Sequence, residues 1–220
     1  MSLRAVADRL LSLLLAPPCA VCGRVLTQPL AGAVCEDCWT SIDAHTSHFF
    51  LRAVSEARAI GAYEATLRDV IHALKYDGRR SIAPRLSALM AEHGADVLRG
   101  ADIVVPVPLH ASRRRQRGFN QAEDLARGLG LPVLNALRRV RATQPQVELP
   151  AEARKENVKH AFALRRPSIQ GTIVVLVDDV ATTGATLDAC AKVLTKAGAR
   201  DVRALTAARV ATGLRQTPRA

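Results

Sequence analysis

The sequence predicts an α/β fold: a mostly parallel sheet with helices on both faces, preceded by a small cysteine-bearing ribbon. Three observations predict it. From residue 51 onward, apolar strand-like runs alternate with stretches of helical periodicity, the element order that builds parallel sheets covered on both faces. "TIVVLVDDV" has the pattern of a buried strand and leads through a short polar turn into "GATLDACAKVLTKAGA", whose apolar residues recur with the helical period. Four of the five cysteines fall in the first forty residues, a segment otherwise short of core formers. At 220 residues, 49% of them apolar, the chain can build one substantial core and a small appendage. The predicted division is residues 1–50 and 51–220, with a loose C-terminal tail, "ATGLRQTPRA".

The N-terminal "MSLRAVADRLLSLLLAPPC" places Arg4 and Arg9 before an apolar run over residues 10–16. That run is at the short limit for a signal peptide, lacks a small-residue cleavage site, and falls far below the ~20 residues needed to cross a bilayer. It reads as an amphipathic helix ended by Pro17 and Pro18, packed on the protein in preference to lying on a membrane. With no transmembrane segment and no export signal read, the expected location is the cytoplasm. Cys19 and Cys22 in "CAVC" and Cys35 and Cys38 in "CEDC" then form two CxxC pairs. Each pair turns two thiolates toward one centre, and two pairs complete the tetrahedral soft-ligand set that Zn(II) favours. Two disulfides are the competing reading, disfavoured without export. Four thiolates leave no open coordination position, so the zinc is expected to be structural.

Further along, "EARAIGAYEATLRDVIHALKYDGRR" reads as a strand and then a helix with Leu67, Val70, Ile71 and Leu74 on one face, stopped near Gly78. A second helix is expected over residues 82–93. "ADIVVPVPLH" reads as a buried strand entering a loop, "SRRRQRGFNQAEDLARGLG" as a basic loop opening a helix, and "LPVLNALRRV" as a strand or mixed segment. "EARKENVKHAFAL" starts helical and becomes irregular. "DVRALTAARV" is the closing strand, and Cys190 is expected to be a small core residue on an apolar helix face.

The chemistry concentrates at the end of "TIVVLVDDV". In an open parallel sheet, ligands collect at the carboxyl ends of strands, beside helix N-termini. Asp178 and Asp179 fall at such an end, and the next helix is expected to begin near Gly184 or Ala185. The backbone N–H groups of Ala181, Thr182, Thr183, Gly184, Ala185 and Thr186 then face the same crevice, with the positive end of the helix dipole behind them. Threonine hydroxyls add donors, and Gly184 admits a close approach of an oxygen-rich ligand. This is a phosphate cradle, and the neighbouring acids suit the vicinal hydroxyls of a sugar. The implied ligand is a ribose 5-phosphate; the acid pair can also hold Mg(II), directly or through water. A Walker B strand looks similar but needs a P-loop, and the chain has no Gly-Lys dipeptide. "GLGLPV" lacks the third glycine of a dinucleotide fingerprint and does not follow a strand.

"VVLVDDVATTGAT" closely resembles the phosphoribosyl diphosphate (PRPP) binding motif of type I phosphoribosyltransferases. The resemblance implies that Asp178 and Asp179 hold the ribose hydroxyls as the catalytic acids. It further implies that the turn through Val180, Ala181, Thr182, Thr183, Gly184, Ala185 and Thr186 holds the 5-phosphate, with Mg(II) accompanying PRPP. The order of a cysteine-paired ribbon, "LKYDGRR", "VVPVPLHASRRRQRGFNQAEDLA", "RRVRATQPQVELPAEARKENVKHAF" and the PRPP motif is similar to the ComF family of bacterial competence proteins, from Pro17 to about Val210. That resemblance puts the "PVPLH" loop and His110 where phosphoribosyltransferases bind pyrophosphate. Arg113, Arg114, Arg115 and Arg117 follow at once, and guanidinium groups suit a diphosphate. For any single arginine, a solvated loop or a nucleic-acid contact accounts for it equally well.

The net charge of +11, carried mostly by Arg, fits a polyanionic partner; base-composition bias is an equal explanation. Aromatics at 3% exclude an extended base-stacking platform, so contact with single-stranded nucleic acid would run through phosphates. By resemblance the chain handles incoming single-stranded DNA in natural transformation, with PRPP or a similar ligand bound and other competence proteins, including a helicase-like ATPase, as partners. Two alternatives stand beside this. One is an active phosphoribosyltransferase with an unidentified acceptor, although the hood that such enzymes use to recognise a base is here replaced by the zinc ribbon. The other is a ribbon-based adaptor with a vestigial site.

Overall fold

The computed structural model describes residues 3–140, 161–165 and 168–210. The chain begins with helix α1 (Leu3–Leu15) and the cysteine ribbon, which contains a 3-10 turn (Pro29–Ala31) and α2 (Glu36–Thr40). Strands β1 (Ser47–His48) and β2 (Glu56–Ala59) lead into α3 (Ala65–Tyr76), α4 (Ala83–His93) and α5 (Ala95–Leu98). Then come β3 (Ile103–Pro106), α6 (Ala111–Arg117), α7 (Gln121–Ala126), β4 (Leu137–Arg139) and β5 (Phe162–Leu164). The last elements are β6 (Ile173–Ala181), α8 (Ala185–Lys196) and β7 (Asp201–Arg209).

The main sheet has the order β1-β2-β7-β6-β3. Its pairings β2–β7, β7–β6 and β6–β3 are parallel, and only the short edge strand β1 runs antiparallel. Strands β4 and β5 form a separate antiparallel pair. The two-residue alternation of β6 explains the layering: Val175 and Val177 face one side, Val174 and Leu176 the other. On the first side they meet Val70, Ile71 and Leu74 of α3, Leu86 and Met90 of α4, and Leu125 of α7. On the second they meet Leu187, Cys190 and Leu194 of α8. Leu74, Leu176 and Leu194 are wholly buried, and each such side chain contributes about 1.5–3 kcal/mol. The α/β class and the mostly parallel sheet are as the sequence predicts, and Cys190 is a core residue.

Two expectations need correction. Helix α1 forms and ends before Pro17, but it is not packed as an apolar face: only Asp8 is buried, while Leu3, Val6, Leu10, Leu13, Leu14 and Leu15 are exposed. Polar contacts hold it instead. Asp8 Oδ1 accepts the Leu30 N–H at 2.9 Å, Arg4 donates to the Leu30 carbonyl at 3.2 Å, and Ser12 donates to the Leu26 carbonyl at 2.6 Å. The basic stretch after "PVPLH" is a helix, α6, because both its ends are capped. His110 accepts the Ser112 N–H at the start, and Gly118, at φ 81°, donates to the Arg114 carbonyl at the end. The segment "EARKENVKHAF" up to His160 and the tail "ATGLRQTPRA" lie outside the described residues.

The ribbon is seated on the α/β core. Cys19, Leu26, Val34, Cys38 and Trp39 are buried in the same apolar cluster as Ile60, Leu67 and Leu86. Arg85 of α4 fastens it from outside, donating to both oxygens of Glu36 at 2.5 and 2.6 Å and lying 5.0 Å above the Trp39 ring.

Candidate functional site

Strand β6 does not end at the acid pair. Val180 and Ala181 stay in register with Ala208 and Arg209 of β7, so the acids sit two residues before the strand's end. The chain then turns through Gly184, the N-cap of α8 at φ 74°. A Cβ at that position would lie 2.1 Å from Leu51 Cδ2, so both the dihedral and the space require glycine. A small niche of about 40 Å³ opens at this helix N-terminus. Asp178 lines it together with every predicted residue from 180 to 186 except Thr183, whose hydroxyl instead accepts the Ala185 N–H at 3.4 Å.

The niche shares Asp178, Val180, Thr182 and Thr186 with a larger cleft of about 600 Å³. Asp179 and Lys75 also line this cleft, with Tyr63, Tyr76 and Arg139 around them. The structure sorts the basic run of α6. Arg113 and Arg117 line the cleft; Arg117 is oriented by a 2.6 Å hydrogen bond to Gln121 Oε1 and lies 5.2 Å over the Tyr76 ring. Arg114 turns toward Glu123 at 3.7 Å. His110, which caps α6, and Arg115 are not among the residues lining the cleft.

The two acids have different surroundings. Asp179 is buried at 3% exposure, and the Lys75 ammonium lies 2.7 Å from its Oδ1. Its Oδ2 is buried and has no hydrogen-bond partner among the described residues. Burial alone would lower the Lys75 pKa, but Asp179, Asp178 and Tyr63 outweigh it and raise the pKa above the ordinary lysine value. Asp178 keeps a partly accessible face on the cleft, yet burial and then the charge of Asp179 push its pKa up to about 7 against the pull of Lys75 and Arg139. Arg139 is held below its usual range by burial and by Arg113 beside it. For Mg(II) at the acid pair the fit is poor. One Asp179 oxygen already faces an ammonium and one Asp178 oxygen accepts the Asp179 N–H at 2.9 Å, so the hard-oxygen set a metal needs is partly spent.

The four ribbon cysteines converge, with all sulfurs within 4.8 Å of one another. The Cys19–Cys38 and Cys22–Cys35 sulfurs are 3.9 and 3.7 Å apart, far beyond a disulfide bond. Ligand bonds of about 2.3 Å in a tetrahedron give edges of about 3.8 Å, so the donors fit a metal such as zinc. Val21 and Cys35 donate backbone N–H groups to Cys19 Sγ at 3.5 and 3.3 Å, as thiolate ligands require. Hydrogen bonds from the Arg24 backbone and guanidinium hold the Cys22 pKa down at about 6.

Sequence reasoning missed Tyr63 and Arg139 as cleft residues and left Lys75 and Tyr76 without a chemical role. Lys75 carried one usable signal, a lone cation in the last turn of an otherwise apolar-faced helix. Arg139 carried none, since its place depends on the β4–β5 pairing. Among the described residues, no helix is long and apolar enough to cross a membrane.

A family model described as a phosphoribosyl transferase domain matches residues 89–217, which include β6, its turn and α8. The chain is 34% identical over 201 residues to the DNA utilization protein YhgH of Salmonella typhimurium, covering 84% of this chain and 87% of that one. It is 35% identical over 156 residues to competence protein F of Haemophilus influenzae, covering 66% and 68% of the two chains. To competence protein ComFC of Bacillus subtilis it is 28% identical over 181 residues, covering 82% and 72%. A match that spans more than half of the chain and contains the acid pair, joined by relatives that align with 66–84% of it, settles the kinship: the chain belongs to the phosphoribosyltransferase-domain family, within its ComF-like group.

Proposed function

We propose that the cleft binds PRPP or a similar phosphorylated sugar, and that the protein uses this site while handling single-stranded DNA during DNA uptake in natural transformation. One observation carries the ligand reading: Asp178, Thr182 and Thr186 line both the small niche at the α8 N-terminus and the larger cleft that contains Asp179. A sugar phosphate matches that geometry, its phosphate in the niche on backbone donors and its hydroxyls beside the carboxylates. Arg113, Arg117 and Arg139 along the cleft supply charge for a diphosphate. The DNA role draws on the names of the relatives and on the net charge of +11. Zn(II) at the four sulfurs serves the ribbon's structure.

Calorimetric titration with PRPP tests the ligand reading. Wild type binds, and Asp178→Asn or Arg117→Ala weakens binding about 10- to 100-fold, the range expected for losing a charged hydrogen bond. Equal binding by all three proteins, or none by wild type, overturns it. The three cleft arginines suit group transfer as well as binding, so pyrophosphate release from PRPP with a panel of acceptors separates an enzyme from a binding protein. DNA affinity that falls steeply with salt supports the DNA role, since each neutralised phosphate releases counterion, and salt-insensitive or absent binding removes it.

A further inference from the structure

Lys75 lies outside the segment matched by the family model and lines the cleft. Its side chain is 14% exposed and that of Asp179 4%, so both charges have left water. A buried ion pair of this kind gives little net stability over an apolar pair of the same size, and such a pair lining a cleft points to work done there. Lys75 is the cation within ion-pair distance of Asp179 among the described residues. Its ammonium also acts electrostatically on Asp178. Arg113 and Arg117 line the same cleft, so cations other than Lys75 also face it.

We propose that Lys75 is a resident counter-cation for the acid pair: its ammonium neutralises and positions Asp179 and keeps divalent metal off the two carboxylates, so that a sugar phosphate binds there without a metal bridge. An ammonium 2.7 Å from Asp179 Oδ1 takes the space in which Mg(II) would need to stand about 2.1 Å from the same oxygen. Two cations cannot share that oxygen without strong repulsion. The acid pair then meets its ligand with at most one uncompensated negative charge, on Asp178, and any metal would travel on the ligand's own phosphates. The part that concerns the sugar rests on the ligand reading above; the exclusion of metal does not.

The test therefore begins without sugar. Mn(II) is titrated into the zinc-loaded protein and followed by electron paramagnetic resonance, comparing wild type, Asp179→Asn, Lys75→Met and Lys75→Arg. Wild type and Asp179→Asn should look alike, with no site that depends on Asp179. Lys75→Met should gain one Mn(II) site at least tenfold tighter, lost again when Asp179→Asn is added, and Lys75→Arg should behave as wild type. An Mn(II) site in wild type that disappears in Asp179→Asn overturns the proposal, and that comparison decides the matter even if Lys75→Met does not fold. In a second arm, ribose 5-phosphate should bind wild type within twofold whether or not Mg(II) is added, and a tenfold gain from Mg(II) counts against the proposal. Absence of ribose 5-phosphate binding in both conditions sinks the ligand reading alone, and the Mn(II) comparison still decides the role of Lys75.

Discussion

Asp178 Oδ1 accepts the backbone N–H of its neighbour Asp179 at 2.9 Å, so the first acid is held by the peptide of the second while the second is held by Lys75 from helix α3. This division gives the pair two unlike carboxylates, and the difference is measurable.

Asp178 has its pKa pushed to about 7 by burial and by Asp179, so the folded state keeps its proton longer than the unfolded chain does. Its contribution to stability is most favourable at low pH and is lost as pH rises from about 4 to 7. Asp178→Asn keeps the oxygen acceptor and removes the titration. The variant should gain on wild type between pH 5 and pH 8 by roughly 1–2 kcal/mol, a discounted value because the group is partly accessible. Urea denaturation at the two pH values measures this, and a gap independent of pH contradicts it.

Lys75→Met strands the Asp179 carboxylate in the core. The expected cost is about 3–5 kcal/mol, the usual penalty for removing one partner of a buried pair. Adding Asp179→Asn should restore at least half of it, because the double variant no longer buries an unpaired charge. A double-mutant cycle by chemical denaturation reads the coupling directly.

Gly184→Ala puts a methyl group 2.1 Å from Leu51 Cδ2 on a backbone at φ 74°. The variant should lose about 1–3 kcal/mol and most of its sugar-phosphate affinity, since the turn that shapes the niche must shift. Pairing it with Leu51→Ala should relieve the contact but not the dihedral, so only part of the loss should return in thermal melts.

Metal analysis should find about one zinc per chain. Chelation should change the fluorescence of Trp39, the single tryptophan, and lower the melting temperature of the chain as one transition, because Cys19, Cys38 and Trp39 share a cluster with Ile60 and Leu67. Cys190→Ala should leave the zinc content unchanged, as Cys190 is buried against the opposite face of the sheet.

The layers of the sheet and the turn at Gly184 were legible in the sequence because they obey local rules: a two-residue alternation, a helical period, a glycine before a helix. The convergence of Cys19, Cys22, Cys35 and Cys38 was legible for a similar reason, since CxxC fixes its own geometry. Lys75 was not, because its meaning depends on where α3 lands against β6, over a hundred residues away in the chain. Arg139 depends on a pairing between β4 and β5 across residues 141–160. The surface of α1 was misread because an apolar stripe predicts that something covers it, not that the rest of this chain does.

The shared cluster beneath the ribbon also sets how the protein can be divided. A fragment cut at residue 50 would strip Trp39 and Leu26 from the apolar cluster they share with Ile60, Leu67 and Leu86 and bare part of that cluster to water. Greasy surface of that extent invites clumping. Shortened versions meant to isolate the sugar site would do better to keep the first fifty residues.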